Sequence, residues 1–275
     1  IHCVIPPLIY AEWQEEFAKY RQIPEFARVN PDMDLAGFKF IFWWEWGHRL
    51  LARGVGVVFA IPMALFWLTG RLERQVKPRL LAILALGALQ GGIGWWMVSS
   101  GLVERVDVSQ YRLAVHLTIA ALIFAAVMAV ARGLAPHSEG RAGGETSGFA
   151  GAMVAALLVQ IFFGGIVAGL DAGMAYNTWP LMDGAFVPDG LFVLEPAWRN
   201  LFETPKTAQF VHRTIAYGVL ALALWHMIAA LAHERLRTHA RRAVVLFLLA
   251  LAQAVLGVLT LLLEVPLHAA LAHQA

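Results

Sequence analysis

Six stretches of this sequence are apolar for long enough to cross a membrane as helices, and this feature limits the fold more than any other. A helix needs about 20 mostly apolar residues to cross the hydrocarbon core of a bilayer. Backbone polar groups in that core are satisfied only inside helices or closed barrels. The sequence therefore predicts an all-α, polytopic membrane protein. The six stretches are Phe40–Leu68, Leu80–Ser100, Leu113–Val130, Phe149–Leu170, Ala208–Leu231 and Ala243–Leu263.

The composition and the two ends of the chain add to this expectation. Hydrophobic residues make up 59% of the sequence and charged residues 15%, whereas a soluble domain carries about 25% charged residues. A seventh apolar run begins near Pro266, and the sequence starts with Ile1 rather than Met, so we expect helices to be missing at both ends. The single cysteine, Cys3, excludes an internal disulfide and a cysteine-rich metal site.

The loops between the apolar stretches differ in charge, and this predicts the side of the membrane on which each lies. Loops 71–79 and 233–242 each hold four Lys or Arg residues and one Glu, whereas loop 171–205 is acidic. Short loops rich in Lys and Arg stay in the cytoplasm. The basic loops are therefore predicted to face the cytoplasm, and segments 1–38, 101–112 and 171–205 to face the outside.

Histidines recur at one predicted depth in the membrane. His48, His116 and His212 lie near the outer ends of the first, third and fifth spans, and His268 and His273 open the seventh. Ionisable groups inside a membrane are costly and usually functional, although a single histidine there is often only packed. Neutral imidazole is a good ligand for haem iron, and helical bundles build such sites from facing helices. We therefore predict two bis-imidazole haem sites, His48 with His116 and His212 with His273.

An internal repeat favours two sites over one. The segment Trp46–Arg49 corresponds to Phe210–Arg213, and Leu89–Gly94 corresponds to Ala252–Gly257 on the span that follows. Each match is short, but the two pairs keep the same order and a similar separation, as expected for a duplicated half. The glycine-rich segment 137–148 is predicted to be the cytoplasmic linker between the halves.

Charged residues beside the histidines are candidates for further roles. Glu45 lies three residues before His48, on the same helix face, where a carboxylate can handle protons. The alternative is a surface carboxylate that pairs with Arg49. Arg49 and Arg213 each follow a histidine and are predicted to bind haem propionates, with snorkelling towards the interface as the alternative. Copper, which Glu45 with His48 would suit best, stays a weaker alternative to haem.

Seven segments together resemble the haem A synthase family, in the branch found in alphaproteobacteria and mitochondria. The resemblance runs almost from end to end, and the segment from Asn177 to Met182 is the most specific part of it. The segments are Phe42–Arg49, Gln90–Gly101, Val108–His116, Gly164–Gly173, Asn177–Gly184, Gln209–Arg213 and Leu271–Gln274.

The resemblance implies a fold of eight helices in two pseudo-symmetric four-helix bundles. The first helix and most of the last are expected to be missing from this chain. Residues 1–136 would form the N-terminal bundle around the substrate haem, and residues 149–275 the C-terminal bundle around a haem b cofactor.

The resemblance also implies an activity and its residues. The family oxidises the C8 methyl of haem O to a formyl group, which gives haem A for terminal oxidases. By position, His48 and His116 would hold the substrate haem, and His212 and His273 would hold haem b. Glu45 matches a glutamate with a suspected catalytic role. His268 departs from the pattern, and Cys3 alone does not supply the cysteine pair of some relatives.

The implied setting is the bacterial inner membrane, with several spans and with both haem sites towards the periplasmic side. Membrane lipid is the first expected partner, haem O synthase a neighbour, and the electron donor is unidentified. We expect no nucleic-acid partner, and a homo-oligomer stays open. The competing functions are a di-haem b electron-transfer cytochrome and, with less support, a transporter built from duplicated halves.

Overall fold

The computed structural model describes residues 5–101, 106–134, 144–233, 237 and 239–274. Cys3 and most of the linker predicted at 137–148 lie outside this part of the chain. Within it the secondary structure is helical, apart from one isolated bridge between Met182 and Ala185.

Ten α-helices follow one another in the described residues, joined by turns and three short 3₁₀ turns. The helices are α1 (Tyr10–Tyr20), α2 (Pro24–Arg28), α3 (Leu35–Leu68), α4 (Lys77–Val98), α5 (Gln110–Leu134), α6 (Gly144–Gly169), α7 (Asn200–Glu203), α8 (Pro205–Ala232), α9 (Ala240–Leu262) and α10 (Leu267–Gln274).

Six of these helices, α3 to α6, α8 and α9, are long and apolar enough to cross a membrane. Each coincides with one of the predicted stretches, so the all-α polytopic fold is confirmed. Their apolar side chains are widely exposed, for example Leu51 at 68%, Val58 at 73% and Leu68 at 84%. Exposed apolar surface on this scale needs an apolar solvent, and lipid supplies it.

The helix ends differ from the predicted ones by a few residues where a capping residue lies outside the apolar run. Helix α3 begins at Leu35 rather than Phe40 because the side chain of Asp34 accepts a hydrogen bond from the backbone N–H of Gly37 at 2.8 Å. Such an N-cap satisfies one of the free N–H groups of the first turn. Helix α8 begins with Pro205 at its first position, where proline loses no hydrogen bond.

The helices group into two compact units. The first unit holds residues 1–112 and 119–136, and the second holds 113–118 and 137–275. A short segment of α5 therefore belongs to the second unit. The arrangement of each unit as half of a pseudo-symmetric pair of bundles stays a prediction.

The first unit has an aromatic core at the start of α3. Trp13 on α1 packs edge-on against Phe42 on α3, with 4.8 Å between the ring centroids, and both side chains are buried. Phe17 and Tyr20 extend this packing to Phe38, each at 5.3 Å. The segment before the first span is therefore a folded cap on α3.

The second unit is built around α8, which packs against α6 and α9. Met153 of α6 meets Val219 and Ala223 of α8 in a buried cluster. At the other end of α6, the N-terminal segment of α5 crosses closely, because a Cβ at Gly165 would lie only 2.6 Å from Cα of Ala114. This packing places His212 and its neighbours inside the unit.

Candidate functional site

His212 lies in the first third of α8, and its ring is held by α6. The side-chain nitrogen Nε2 of Gln160 lies 3.2 Å from Nδ1 of His212 and 3.2 Å from Nε2 of the same ring. One helical turn further along α6, a Cβ at Gly164 would lie 3.2 Å from Cε1 of His212, which is tighter than ordinary contact. Glycine therefore lets the imidazole approach the backbone of α6, and Gln160 hydrogen bonds with it.

His273 lies at the end of α10 and packs against α9. A Cβ at Gly257 would lie 2.6 Å from Cε1 of His273, so a side chain there would displace the ring. Gln253, one turn earlier on α9, donates from its side-chain amide to the backbone carbonyl of His273. The ring atom Nδ1 of His273 is buried and has no hydrogen-bond partner. The described residues therefore supply no partner for this nitrogen.

His212 and His273 both belong to the second unit. Each ring lies against a glycine of a neighbouring helix, and one nitrogen of His273 lacks a partner. Paired imidazoles are a common ligand set for haem iron. The residues present therefore fit a haem with two histidine ligands, and their role as its ligands stays a prediction.

Arg213 fastens the loop between α6 and α8. Its Nη1 donates to the carbonyl of Thr178 at 2.9 Å, and its Nη2 donates to the carbonyl of Tyr176 at 2.9 Å and to Oε1 of Gln209 at 3.3 Å. Gln209 in turn donates to the carbonyls of Ala172 at 3.0 Å and Tyr176 at 3.2 Å. The predicted contact of Arg213 with a haem propionate stays a prediction; its observed partners belong to this clamp.

The loop segment that Arg213 holds is the most specific of the matching motifs. Asn177 donates from its side-chain amide to the carbonyls of Gly173 at 2.8 Å and Leu261 at 2.7 Å, which ties the loop to the end of α9. Trp179 donates from its indole nitrogen to the hydroxyl of Tyr217 at 3.1 Å. Since Gln209, Arg213 and Tyr217 follow one another at intervals of four on α8, one face of this helix binds the loop.

On α3, Glu45 and Arg49 form an ion pair one turn apart, with their side chains 36% and 26% exposed. This is the pairing that the sequence offered as the alternative to a catalytic Glu45. His48 lies between them and is exposed. The catalytic role of Glu45 and the propionate contact of Arg49 stay predictions, as does a haem ligand at His48.

His116 lies on the segment of α5 that belongs to the second unit, two residues after the crossing of Ala114 with Gly165. His48 lies in the first unit. The pairing of His48 with His116 therefore stays a prediction.

The other histidines in the described part of the chain have different surroundings. His268 on α10 is exposed. His226 on α8 stacks on Phe149 of α6 with ring centroids 3.8 Å apart, so it has a packing role. Among the described residues, His, Cys, Asp and Glu side chains form no group of three or more that could hold a metal ion.

Sequence reasoning missed Gln160, although a signal for it exists. It is the one strongly polar residue in the apolar stretch 149–170, and a buried amide in a span needs a partner. The glycine that follows it at position +4 recurs as Gln90 with Gly94 and as Gln253 with Gly257. A search for polar residues inside each span, together with this spacing, would have found it.

Comparison with known proteins agrees with the motifs. The chain is 70% identical over 275 residues to the "Heme A synthase" of Chelativorans sp. (strain BNC1). It is 63% identical over 274 residues to the protein of that name in Mesorhizobium japonicum (strain LMG 29417 / CECT 9101 / MAFF 303099), and 61% identical over 275 residues to the one in Sinorhizobium medicae (strain WSM419). The aligned regions cover 100% of this chain and 76%, 76% and 75% of the three relatives, respectively.

No solved structure matches the chain. Residues 1–275 match the family COX15-CtaA, cytochrome oxidase assembly protein, which confirms the resemblance inferred from the seven segments. The match leaves no part of the sequence outside the family, and it includes all four predicted ligand histidines. The chain therefore belongs to the COX15-CtaA family of cytochrome oxidase assembly proteins.

Proposed function

We propose that this protein is a haem A synthase, a membrane oxidoreductase that converts the C8 methyl group of haem O into a formyl group. One observation carries the proposal: the chain is 70% identical along its whole length to a protein named Heme A synthase. The paired histidines of the second unit, each backed by a glycine, support it because the chemistry needs haem-binding helices.

His212 and His273 hold a haem b cofactor in this proposal. When bound, haem b supplies one-electron chemistry, which the protein directs through its ligands and their surroundings. Gly164 and Gly257 leave room for the two rings, so that the imidazoles stand close to the helix backbones. The clamp formed by Gln209 and Arg213 holds the loop against the N-terminal part of α8.

His48 and His116 hold the substrate, haem O, at the second site. Oxidation of a methyl group releases protons, which need an acceptor close to the reacting carbon. Glu45, three residues before His48, is the carboxylate that this helix face offers. Arg49 holds Glu45 by an ion pair and binds a propionate of the substrate, as Arg213 does for the cofactor.

The protein lies in the bacterial inner membrane with its basic loops in the cytoplasm and both haem sites towards the periplasm. The acidic loop 171–205 then faces outside. The protein receives haem O from haem O synthase, and an unidentified electron donor is a further partner. The surrounding lipid covers the exposed apolar side chains and the farnesyl tail of the substrate.

A bacterial strain that makes haem O but lacks its own haem A synthase tests the proposal. Cells that produce this protein should yield haem A on extraction and chromatography with mass detection, and cells with an empty vector should yield haem O only. The double variant His48→Ala with His116→Ala is the matched control and should give no haem A. Haem b bound to the purified protein, with haem O unconverted in the cells, would contradict the enzyme and favour the di-haem electron-transfer cytochrome.

A further inference from the structure

Two helices of the second unit each contact a histidine through a glutamine and a glycine. On α6, Gln160 and Gly164 face the ring of His212, and on α9, Gln253 and Gly257 face His273. In each pair the glycine follows the glutamine by one helical turn, so both lie on one side of the helix. The two glutamines contact different parts of their histidines, and only Gln160 contacts the imidazole ring.

Gln160 contacts the imidazole ring itself. Its Nε2 is 3.2 Å from both nitrogens of His212, so it can reach whichever nitrogen a metal does not occupy. Its other amide atom, Oε1, is buried and has no hydrogen-bond partner. Gln253 instead donates to the backbone carbonyl of His273, which leaves the buried Nδ1 of that ring without a partner.

The chemistry of a ligand histidine requires what Gln160 can offer. An imidazole that binds iron through one nitrogen carries a proton on the other, and that N–H is a donor that needs an acceptor. The acceptor fixes the tautomer and the ring orientation, and it makes the ligand more basic. The unpartnered Oε1 of Gln160 is an acceptor, and half a turn of the amide about its last bond places it where Nε2 now lies.

We propose that Gln160 is a positioning residue for the haem ligand His212, and that its side-chain oxygen accepts the N–H of the ring nitrogen that does not bind iron. The inference rests on the proposed function, since it requires His212 to be a ligand. Gly164 completes the arrangement by setting how closely the ring lies against α6. Gln253 donates to the backbone of His273 and not to its ring, so the two histidines would differ in basicity as haem ligands.

Four forms of the full chain test this: the wild type, Gln160→Met, Gln160→Glu and the matched control Gln75→Met, at an exposed loop position. Methionine keeps the length of the side chain but removes the hydrogen-bond acceptor, whereas glutamate keeps an acceptor oxygen. The readouts are the midpoint potential of the bound haem, its low-spin ferric EPR g values and the haem dissociation constant. A more basic ligand stabilises ferric iron, so Gln160→Met should raise the potential, shift the g values and weaken haem binding about 10- to 100-fold.

Gln160→Glu should return the potential to the wild-type value or below it, and Gln75→Met should leave the potential and the g values unchanged. A Gln160→Met protein with wild-type potential and g values would overturn the inference. If that variant does not fold, Gly164→Ala, whose methyl group meets Cε1 of His212 at 3.2 Å, must shift the g values, and unchanged values would equally overturn it.

Failure of the proposed function gives a different result. If purified wild-type protein carries no haem, or if His212→Ala keeps the full low-spin spectrum, His212 is not a ligand and the proposed function itself is wrong. If His212→Ala removes that spectrum and the Gln160 variants are silent, only the positioning role of Gln160 is wrong.

Discussion

The two halves of the chain carry the same histidine–arginine pair but precede it with different residues. In the first half the order is Glu45, two residues, His48 and Arg49; in the second half it is Gln209, two residues, His212 and Arg213. Glu45 forms an ion pair with Arg49. Gln209 instead donates to two loop carbonyls and accepts from Arg213.

This difference indicates which half retains chemistry and which provides structure. A carboxylate can exchange protons, whereas an amide cannot, so the half with Glu45 is the one equipped to act on a substrate. In the second half, Gln209 occupies the corresponding position, and together with Arg213 it holds a loop against the start of α8. We therefore propose that the first half holds the substrate and the second the permanent cofactor, and four predictions test that division.

The largest expected effect is loss of the cofactor. His212→Ala should remove haem b, and its part of the low-spin haem spectrum, from the purified protein, because a histidine that would hold the permanent cofactor is lost. His48→Ala should leave that spectrum in place, since it affects only the substrate site. Quantitative haem extraction and visible spectra of both variants measure this.

His268→Ala is the matched control, because His268 lies near His273 in sequence but is exposed. It should retain the full spectrum. A His48→Ala protein without cofactor haem, or a His212→Ala protein that keeps it, would reverse the assignment of the two halves.

The next effect is on turnover. Glu45→Gln places at this position of the first half the amide that the second half has, and it removes the carboxylate of the motif. We expect haem A yield to fall about 100-fold or more, the usual contribution of a general acid or base, while haem content stays normal. Glu15→Gln makes the same chemical change at an exposed position of α1 and should give a normal yield of haem A. An unchanged yield of haem A in Glu45→Gln would mean that Glu45 has no catalytic role.

The reverse exchange should damage structure. In Gln209→Glu, carboxylate oxygens replace the nitrogen that donates to the carbonyls of Ala172 and Tyr176. The free energy of unfolding should fall by about 1–3 kcal/mol, the cost of leaving buried partners unsatisfied, and proteases should cut loop 171–205 sooner. Gln75→Glu, at an exposed loop position, is the control. Equal stability of the two variants would mean that Gln209 does not stabilise the loop.

The sequence predicted the long helices well because a membrane span is a local property. The predicted Phe149–Leu170 and observed Gly144–Gly169 overlap almost completely, and their apolar length alone decides the assignment. The exact ends of the helices were harder to predict, because they depend on single side chains such as the N-cap Asp34. The sequence also did not predict that α1 packs on α3. Trp13 is buried there by its contact with Phe42, which is distant in sequence.

The candidate site was predicted in part. The periodic placement of histidines on alternate spans located His212 and His273, which the structure brings into one unit. The partners of Arg213 could not be read from the sequence, because loop carbonyls become acceptors only when Tyr176 and Thr178 fold against α8. A basic residue after a histidine suits a propionate and a loop carbonyl equally, and the propionate contact of Arg213 stays a prediction.

The smallest expected effect compares the two arginines directly. Arg213 reaches two carbonyls through different guanidinium nitrogens, and a single lysine ammonium cannot reproduce that fork. Arg49 has an ion pair that is partly exposed, and such pairs contribute about 0–1 kcal/mol. Arg213→Lys should therefore lower the free energy of unfolding by about 1 kcal/mol more than Arg49→Lys, measured by thermal unfolding of haem-free protein in the same detergent. Equal losses would mean that Arg213 does not hold the loop, and the contrast between a structural and a chemical half would then rest on Glu45 alone.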